Sequence, residues 1–448
     1  MALPPTTHEP EPSAPGVHPR RFWSFRPRSD REAGDAVVSN FLLHWFPAKV
    51  TKASLDWNYS FWLGTASAAL FLLTILSGMP LLFLYIPSVE RAYSSVKDIE
   101  YVVTFGSWIR AVHRLSAHLM VAVVFLHLVR VFLTGAYKNG VGRGQMRQWN
   151  WVNGVAMLLL TLFLSFTGYL LPWDQLAYWA VTVGTNIASS IPGIGAGVRE
   201  LLLGGRMIEQ PTLIRFYVLH VIALPAALGG LFLYHMWRLR KDGGLARADR
   251  ASLLEKAAEV PPAPTKTYTL LGVARGQSPA IRARSLEAPD ATVNAVPDLV
   301  RRAAIVILGT IALVGILALF LPSPLEEPAN PLVTPNPAKA PWYFLWLQEI
   351  VTDTTVHIGE LTINGAFLGG VLLPGLLITV LTLWPWWDKS PREAAGAWFP
   401  KSRRRQNAVF LLLVVLVLVL TLIGTFCRGP YWHFYWPWEE WPEIPGRI

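Results

Sequence analysis

The chain has 448 residues, of which 52% are hydrophobic and only 15% charged, with a net charge of +10. A soluble protein of this length would form about three domains and would need about 25% charged residues to cover them; so few charges suffice only where lipid replaces water over much of the surface. Lys and Arg flank long apolar runs instead of lining a groove, which excludes nucleic acid as a partner, and a single cysteine, Cys427, excludes an intrachain disulfide.

In chain order, residues 1–35 are polar, Pro-rich and Arg-bearing. They lack the early apolar stretch of a signal peptide and read as a cytoplasmic tail. Seven apolar runs long enough to cross about 30 Å of hydrocarbon follow, near 61–86, 107–136, 152–172, 213–237, 303–322, 364–387 and 407–427. The expected fold is therefore all-α and integral to the membrane, with a four-helix unit over 36–241 and a three-helix unit over 301–430. Residues 242–300, rich in Ala, Pro, Arg and Glu, read as a cytoplasmic linker. The segment 431–448 opens Tyr-Trp-His-Phe-Tyr-Trp and reads as an aromatic belt at the opposite interface.

Four segments are basic: the N-terminal one (Arg20, Arg21, Arg26, Arg28, Lys49, Lys52), the second-to-third loop (Lys138, Arg143, Arg147), the stretch after the fourth run (Arg238, Arg240, Lys241, Arg247) and the sixth-to-seventh loop (Lys401, Arg403, Arg404, Arg405). Seven alternating helices put all four on one face. The excess of Lys and Arg makes that face cytoplasmic. The N-terminus is then cytoplasmic and the C-terminus periplasmic, in a bacterial inner membrane.

Four histidines fall at matched places: His113 and His127 on the second run, fourteen residues apart, and His220 and His235 on the fourth, fifteen apart. At about 100° per residue, each pair returns to within about 40–60° of one face, with about 21–22 Å between its members. Both helices run from outside to inside. His113 is therefore level with His220, and His127 with His235. Two imidazoles facing each other at each level suit the axial positions of a six-coordinate haem iron. Histidines that only bond between helices are the plainer alternative, and His118, with no mate on the fourth run, is read that way. Gly64 and Gly78 on the first run and Gly154 and Gly168 on the third share the fourteen-residue spacing. A glycine lets a flat macrocycle approach the backbone. Arg110, Arg114 and Arg130 flank the histidines and could pair with haem propionates.

His113-Arg114-Leu115-Ser116-Ala117-His118, Thr167-Gly168-Tyr169-Leu170-Leu171-Pro172-Trp173-Asp174-Gln175 and Arg215-Phe216-Tyr217-Val218-Leu219-His220 resemble cytochrome b of the Rieske/cytochrome b complexes. The spacing on the fourth run is similar to the bf branch, whose four-helix and three-helix parts look fused here. The resemblance covers about 38–245 well and 303–438 more loosely. It implies haem b ligation by His113, His127, His220 and His235. It also implies quinol oxidation near the outer haem, with one electron passing to a Rieske iron–sulfur protein and on to a c-type cytochrome or equivalent acceptor. The other electron would cross both haems to a quinone near Arg240. Further subunits, lipid contacts and a homodimer are implied as well.

The sequence departs from that family at two places. Where the family carries Pro-Glu-Trp-Tyr, with Glu accepting a quinol proton, this chain has Ala340-Pro341-Trp342-Tyr343. Trp342 and Tyr343 remain to shape an outer pocket, and the base is sought in Glu349, which with Asp353, His357 and Glu360 follows at helical spacing. Asp174 is the second candidate. Where the bf branch attaches an extra haem to cysteine, this chain has Trp62, so no covalent haem is expected. Two rival readings stay open: a dihaem anchor wiring a different peripheral oxidoreductase to the quinone pool, and a transporter or assembly scaffold with buried histidines.

Overall fold

The structure is a computed structural model that describes residue 33 and residues 49–139, 145–247, 292–358, 361–392 and 395–442. Nearly all of the tail 1–35, most of the 242–300 linker, and Glu360 lie outside the described residues.

Among the described residues, seven helices are long and apolar enough to span a membrane: Leu63–Leu84, Gly106–Leu133, Arg147–Leu170, Gln210–Lys241, Ala295–Leu317, Gly365–Trp387 and Lys401–Phe426. The all-α membrane fold expected from the apolar runs is the one found. The ends shift for local reasons. The third span starts five residues before its apolar run because its first turn is capped from outside: the Asp242 carboxylate accepts from the Met146 N–H at 2.9 Å, and the Asn139 side chain from the Arg147 N–H at 2.8 Å. The fifth span unwinds after Leu317, ahead of Pro322 and Pro324, which cannot continue a helix.

The two parts expected from sequence share one core. Leu70 and Leu73 of the first span pack with Ala111, Val112 and Met120 of the second, Leu228 of the fourth, and Val314 and Ala318 at the end of the fifth. A second cluster joins Leu128, Phe132 and Leu133 of the second span to Trp151 and Val155 of the third and Phe410 of the seventh. The connections segregate by end. At the basic end, Lys49–Thr51 pairs antiparallel with Thr292–Asn294. At the opposite end, the Gln175 N–H donates to Glu327 O at 2.8 Å and the Ala329 N–H to Trp173 O at 3.1 Å.

The helical face expected over Glu349, Asp353, His357 and Glu360 does not form. The helix Trp342–Asp353 stops at a Thr-Thr-Val run. Thr354 Oγ1 donates back to Ile350 O at 2.7 Å and Thr355 Oγ1 to Val351 O at 2.8 Å. Such back-bonding competes with further helix, and Val356–Ile358 turns instead into a hairpin with Leu361–Ile363.

Candidate functional site

The second and fourth spans bring the four histidines together in two levels. His113 and His220 lie with ring centroids 6.1 Å apart and planes at 76°. His127 and His235 lie 6.5 Å apart at 74°. The register depends on a detail the spacing hides. His220 sits in a π turn, Leu219–Ala223, just before Pro225. A π turn takes up one extra residue, so a spacing of fifteen on the fourth span matches fourteen on the second.

The rings of His113 and His220 are also held in one tautomer. Ser77 Oγ donates to Leu73 O at 2.6 Å and so accepts from His113 Nδ1 at 3.1 Å. His220 Nδ1 donates to Leu164 O at 3.1 Å. With Nδ1 protonated, each Nε2 keeps its lone pair, the state a metal requires.

These residues fit a haem. Two metal–imidazole bonds of about 2 Å, plus the ~1 Å from each nitrogen to its ring centre, add to roughly 6 Å. Among the described residues no group of three or more His, Cys, Asp or Glu could hold a bare metal ion. A pair of imidazoles completes a site only where a macrocycle brings the other donors. Glycines back the rings: a Cβ on Gly78 would lie 3.1 Å from His113 Cε1, one on Gly64 3.3 Å from His127 Cε1, and one on Gly168 2.5 Å from His220 Cε1. Gly154 differs, facing open space. The arginines separate. Arg130 is buried, stacks over Tyr59 with its guanidinium carbon 4.5 Å from the ring centre, and leaves a buried Nη2 unpaired. Such a donor is costly unless an acceptor reaches it. Arg110 is already engaged, by Glu100 at 2.6 Å and by Ser323 O and Pro324 O at 2.8 Å each. The expectation that Arg110 serves a cofactor is therefore corrected: it ties the second span to the fifth-to-sixth loop.

Residues 49–243 match the family model described as Cytochrome b/b6/petB, and residues 328–436 that described as Cytochrome b(C-terminal)/b6/petD. The chain belongs to the cytochrome b/b6 family. It is similar to cytochrome b6 of Synechococcus elongatus (strain ATCC 33912 / PCC 7942 / FACHB-805), 41% identical over 186 residues, which are 42% of this chain and 84% of that one. Cytochrome b6 of Gracilaria tenuistipitata var. liui is 43% identical over 173 residues, 39% of this chain and 78% of its own. A solved structure described as a hyperthermophilic respiratory Complex III superposes with a TM-score of 0.62 at 25% identity, covering 84% of this chain and 86% of that chain. As a family member the chain is a haem-binding, b-type membrane cytochrome and a subunit of a quinol-oxidising oxidoreductase complex.

The residues expected to serve quinol chemistry in this cytochrome fare unequally. Tyr343 is buried, and burial pushes its hydroxyl up to about 12, so it remains a protonated donor at neutral pH. Glu349, expected as the base, is buried and committed. Arg428 Nε bonds both its carboxylate oxygens, at 3.0 and 3.1 Å, and Nη2 adds a third bond. That expectation is corrected: the carboxylate balances a half-buried guanidinium, which also reaches Asp353 at 3.5 Å. Asp174 caps the helix Gln175–Ser189, accepting from the Ala177 N–H at 2.9 Å. Burial raises its carboxyl above the usual range, against the lowering pull of the N–H bonds from Ala177 and Glu326. Arg240 is half-buried in the last turn of the fourth span. Trp62, buried against Leu55 and Ala303, fills the position where a cysteine was sought.

Sequence reasoning passed over three features. Ser77 accepts from His113 but looks like any small helix residue. Arg428, one residue beyond Cys427, reads as an ordinary basic residue near a span end. The third is the partner of His118, which lies on the Pro-Trp-Tyr segment.

Proposed function

We propose that this chain is the dihaem, quinol-oxidising core of a bc-type complex in a bacterial inner membrane, with its basic face cytoplasmic and its C-terminus periplasmic. The observation that carries the reading is the pair of facing imidazoles at each of two levels, 6.1 and 6.5 Å apart. His113 and His220 would hold the outer haem b, His127 and His235 the inner one. Gly64, Gly78, Gly154 and Gly168 would give the macrocycles room. Arg130 would place its unpaired Nη2 on an inner propionate, and Arg114, which makes no hydrogen bond or ion pair among the described residues, would serve the outer one. When bound, the two haems supply one-electron chemistry between the faces, the second electron of each quinol leaving to a Rieske-type protein and a c-type cytochrome or equivalent acceptor.

The chain's own residues do the rest. Trp342 and Tyr343 wall the outer quinol pocket. Asp174, with a raised carboxyl and no ion pair among the described residues, is the acidic group left to take a proton there. Arg240 would bind the quinone near the cytoplasmic face. The four-helix part 36–241 would carry the haems and the three-helix part 301–430 the outer pocket, joined through 242–300, with homodimerisation as in the Rieske/cytochrome b complexes that the motifs resemble.

Purification with a haem and subunit inventory tests this. Two b haems per chain and a co-purifying iron–sulfur protein are expected; H113A or H220A should lose the outer haem alone, and H127A or H235A the inner. One haem per chain, or both lost equally from a variant that still folds, would refute it. A second reading, the dihaem anchor without bifurcation, is favoured by one observation: Glu349 is locked to Arg428 while Pro341 stands where a glutamate is expected. Two haems with no iron–sulfur partner would select it.

A further inference from the structure

The outer pocket has lost two carboxylates, one to Pro341 and one to the ion pair of Glu349, so a quinol there must be oriented by other groups. The second span supplies one. Trp342 Nε1 donates to His118 Nδ1 at 3.0 Å. The Tyr343 ring meets the same imidazole edge to face, centroids 5.7 Å apart. His118 thus touches both aromatic residues of the segment expected to shape the pocket. An indole N–H can only donate. A Nδ1 that accepts from it carries no proton, so the neutral imidazole carries its proton on Nε2. That Nε2 has no hydrogen-bond partner among the described residues, and it is not among the buried polar atoms sealed off without one. The side chain is half-buried, one wall of it being the indole and phenol rings.

We infer that His118 binds the quinol head group at the outer site, its Nε2–H donating a hydrogen bond to one ring oxygen, with Trp342 setting the tautomer that makes the donor available. The inference rests on the outer quinol site proposed above. It assigns His118 a binding role and not that of the base: with Nδ1 engaged by Trp342 and Nε2 already protonated, the ring has no lone pair left for a quinol proton.

The test uses the assembled complex with short-chain benzoquinol and naphthoquinol as reductants, comparing H118A, H118N, H118Q and W342F. The haem difference spectrum serves as the folding control. Loss of one neutral hydrogen bond to substrate predicts a KM raised about fivefold in H118A, with kcat changed less and both haems retained. Gln places an amide N–H near the Nε2 position and should recover most of the KM. Asn can accept from Trp342 but reaches no further, and should not. W342F, which frees the tautomer, should fall between wild type and H118A. Asn restoring KM as fully as Gln would show that the bond to Trp342 is only structural and would overturn the inference, as would a wild-type KM in H118A. Should H118A lose its haems, the comparison of Asn with Gln decides. A wild-type complex that holds its haems but oxidises neither quinol would instead refute the proposed function, a result separable from both.

Discussion

Gly168→Ala separates a haem-clamping role from ordinary helix packing. Gly168 lies inside the third span, two residues before its end. By helix propensity alone, Ala there should gain about 1 kcal/mol. The built Cβ, however, falls 2.5 Å from His220 Cε1 and 3.0 Å from both ring nitrogens. Ordinary contact needs nearly 1 Å more, and His220 cannot yield freely, because Nδ1 is bonded to Leu164 O at 3.1 Å. Overpacking of this kind costs about 1–3 kcal/mol, which cancels or exceeds the propensity gain. The ring must tilt, and metal ligands tolerate displacements of only about 0.2 Å. The outer haem should therefore be lost or its potential shifted, while the inner one stays. Gly64→Ala, whose Cβ would stand 3.3 Å from His127, asks for a few tenths of an ångström and should disturb only the inner level, weakly. Haem content and redox titration of the two b-type signals measure both. If G168A keeps both signals at wild-type potentials, or loses the inner one first, the assignment of levels is wrong.

Arg130→Met should weaken or shift the inner haem and spare the outer, read in the same titration, because it removes an unpaired buried guanidinium nitrogen three residues from His127. Glu349→Gln should lower stability, but by less than the about 3–5 kcal/mol of a fully buried pair that loses one partner, because the half-buried Arg428 keeps Asp353 at 3.5 Å; slowed quinol oxidation in a complex of wild-type thermal stability would instead restore Glu349 as a base. Asp388 stands between Tyr137, Lys138 and Arg403. Burial alone would raise its carboxyl, but hydrogen bonds from Ser390 and Tyr137 and the Lys138 charge outweigh it and hold it down to about 2. A carboxyl depressed in the folded state stabilises above its unfolded value near 4, and the contribution fades as pH falls from there toward 2. Thermal unfolding of D388N should thus be lower than wild type at neutral pH and less sensitive to acid across that window.

The spans and the histidine levels were legible because each rests on a periodicity: about twenty apolar residues per crossing, and a histidine spacing near a whole number of turns. What stayed hidden was set by partners distant in the chain. Glu349 looked available because its partner lies 79 residues on. Arg110 looked free because Ser323 and Pro324 reach it from the distant fifth-to-sixth loop. The extension of the helix past Asp353 failed for a local reason, β-branched residues that bond back to their own turn, and the composition of Thr354-Thr355-Val356 did carry that signal. His118 lacked a mate on the fourth span, as the sequence suggested, and its mate proved to be an aromatic residue in a segment judged only for its missing acid.

The way the four-helix and three-helix parts are joined follows from the solvent. Lipid is as apolar as leucine, so burying apolar surface does not specify how one group of spans sits on another. Directional polar bonds must do so, and they recur along the join. Trp108 Nε1 donates to Gly315 O at 2.9 Å and Trp151 Nε1 to Leu381 O at 2.7 Å. At the basic end Arg403, fully buried, donates to Phe132 O at 2.9 Å, Leu133 O at 3.2 Å and the Tyr137 hydroxyl at 2.6 Å, while its charge faces Asp388. Each bond satisfies a group that would otherwise be stranded in a low-dielectric interior, so sliding the fifth, sixth or seventh span by one turn would strand several at once. Trp342 belongs to the same set, because its indole bonds His118 only while the three-helix part keeps this register. The contacts that fix the join therefore also place the Pro-Trp-Tyr segment against the second span, and loosening Arg403 should be felt at the opposite end of the molecule as a weaker hold on quinol.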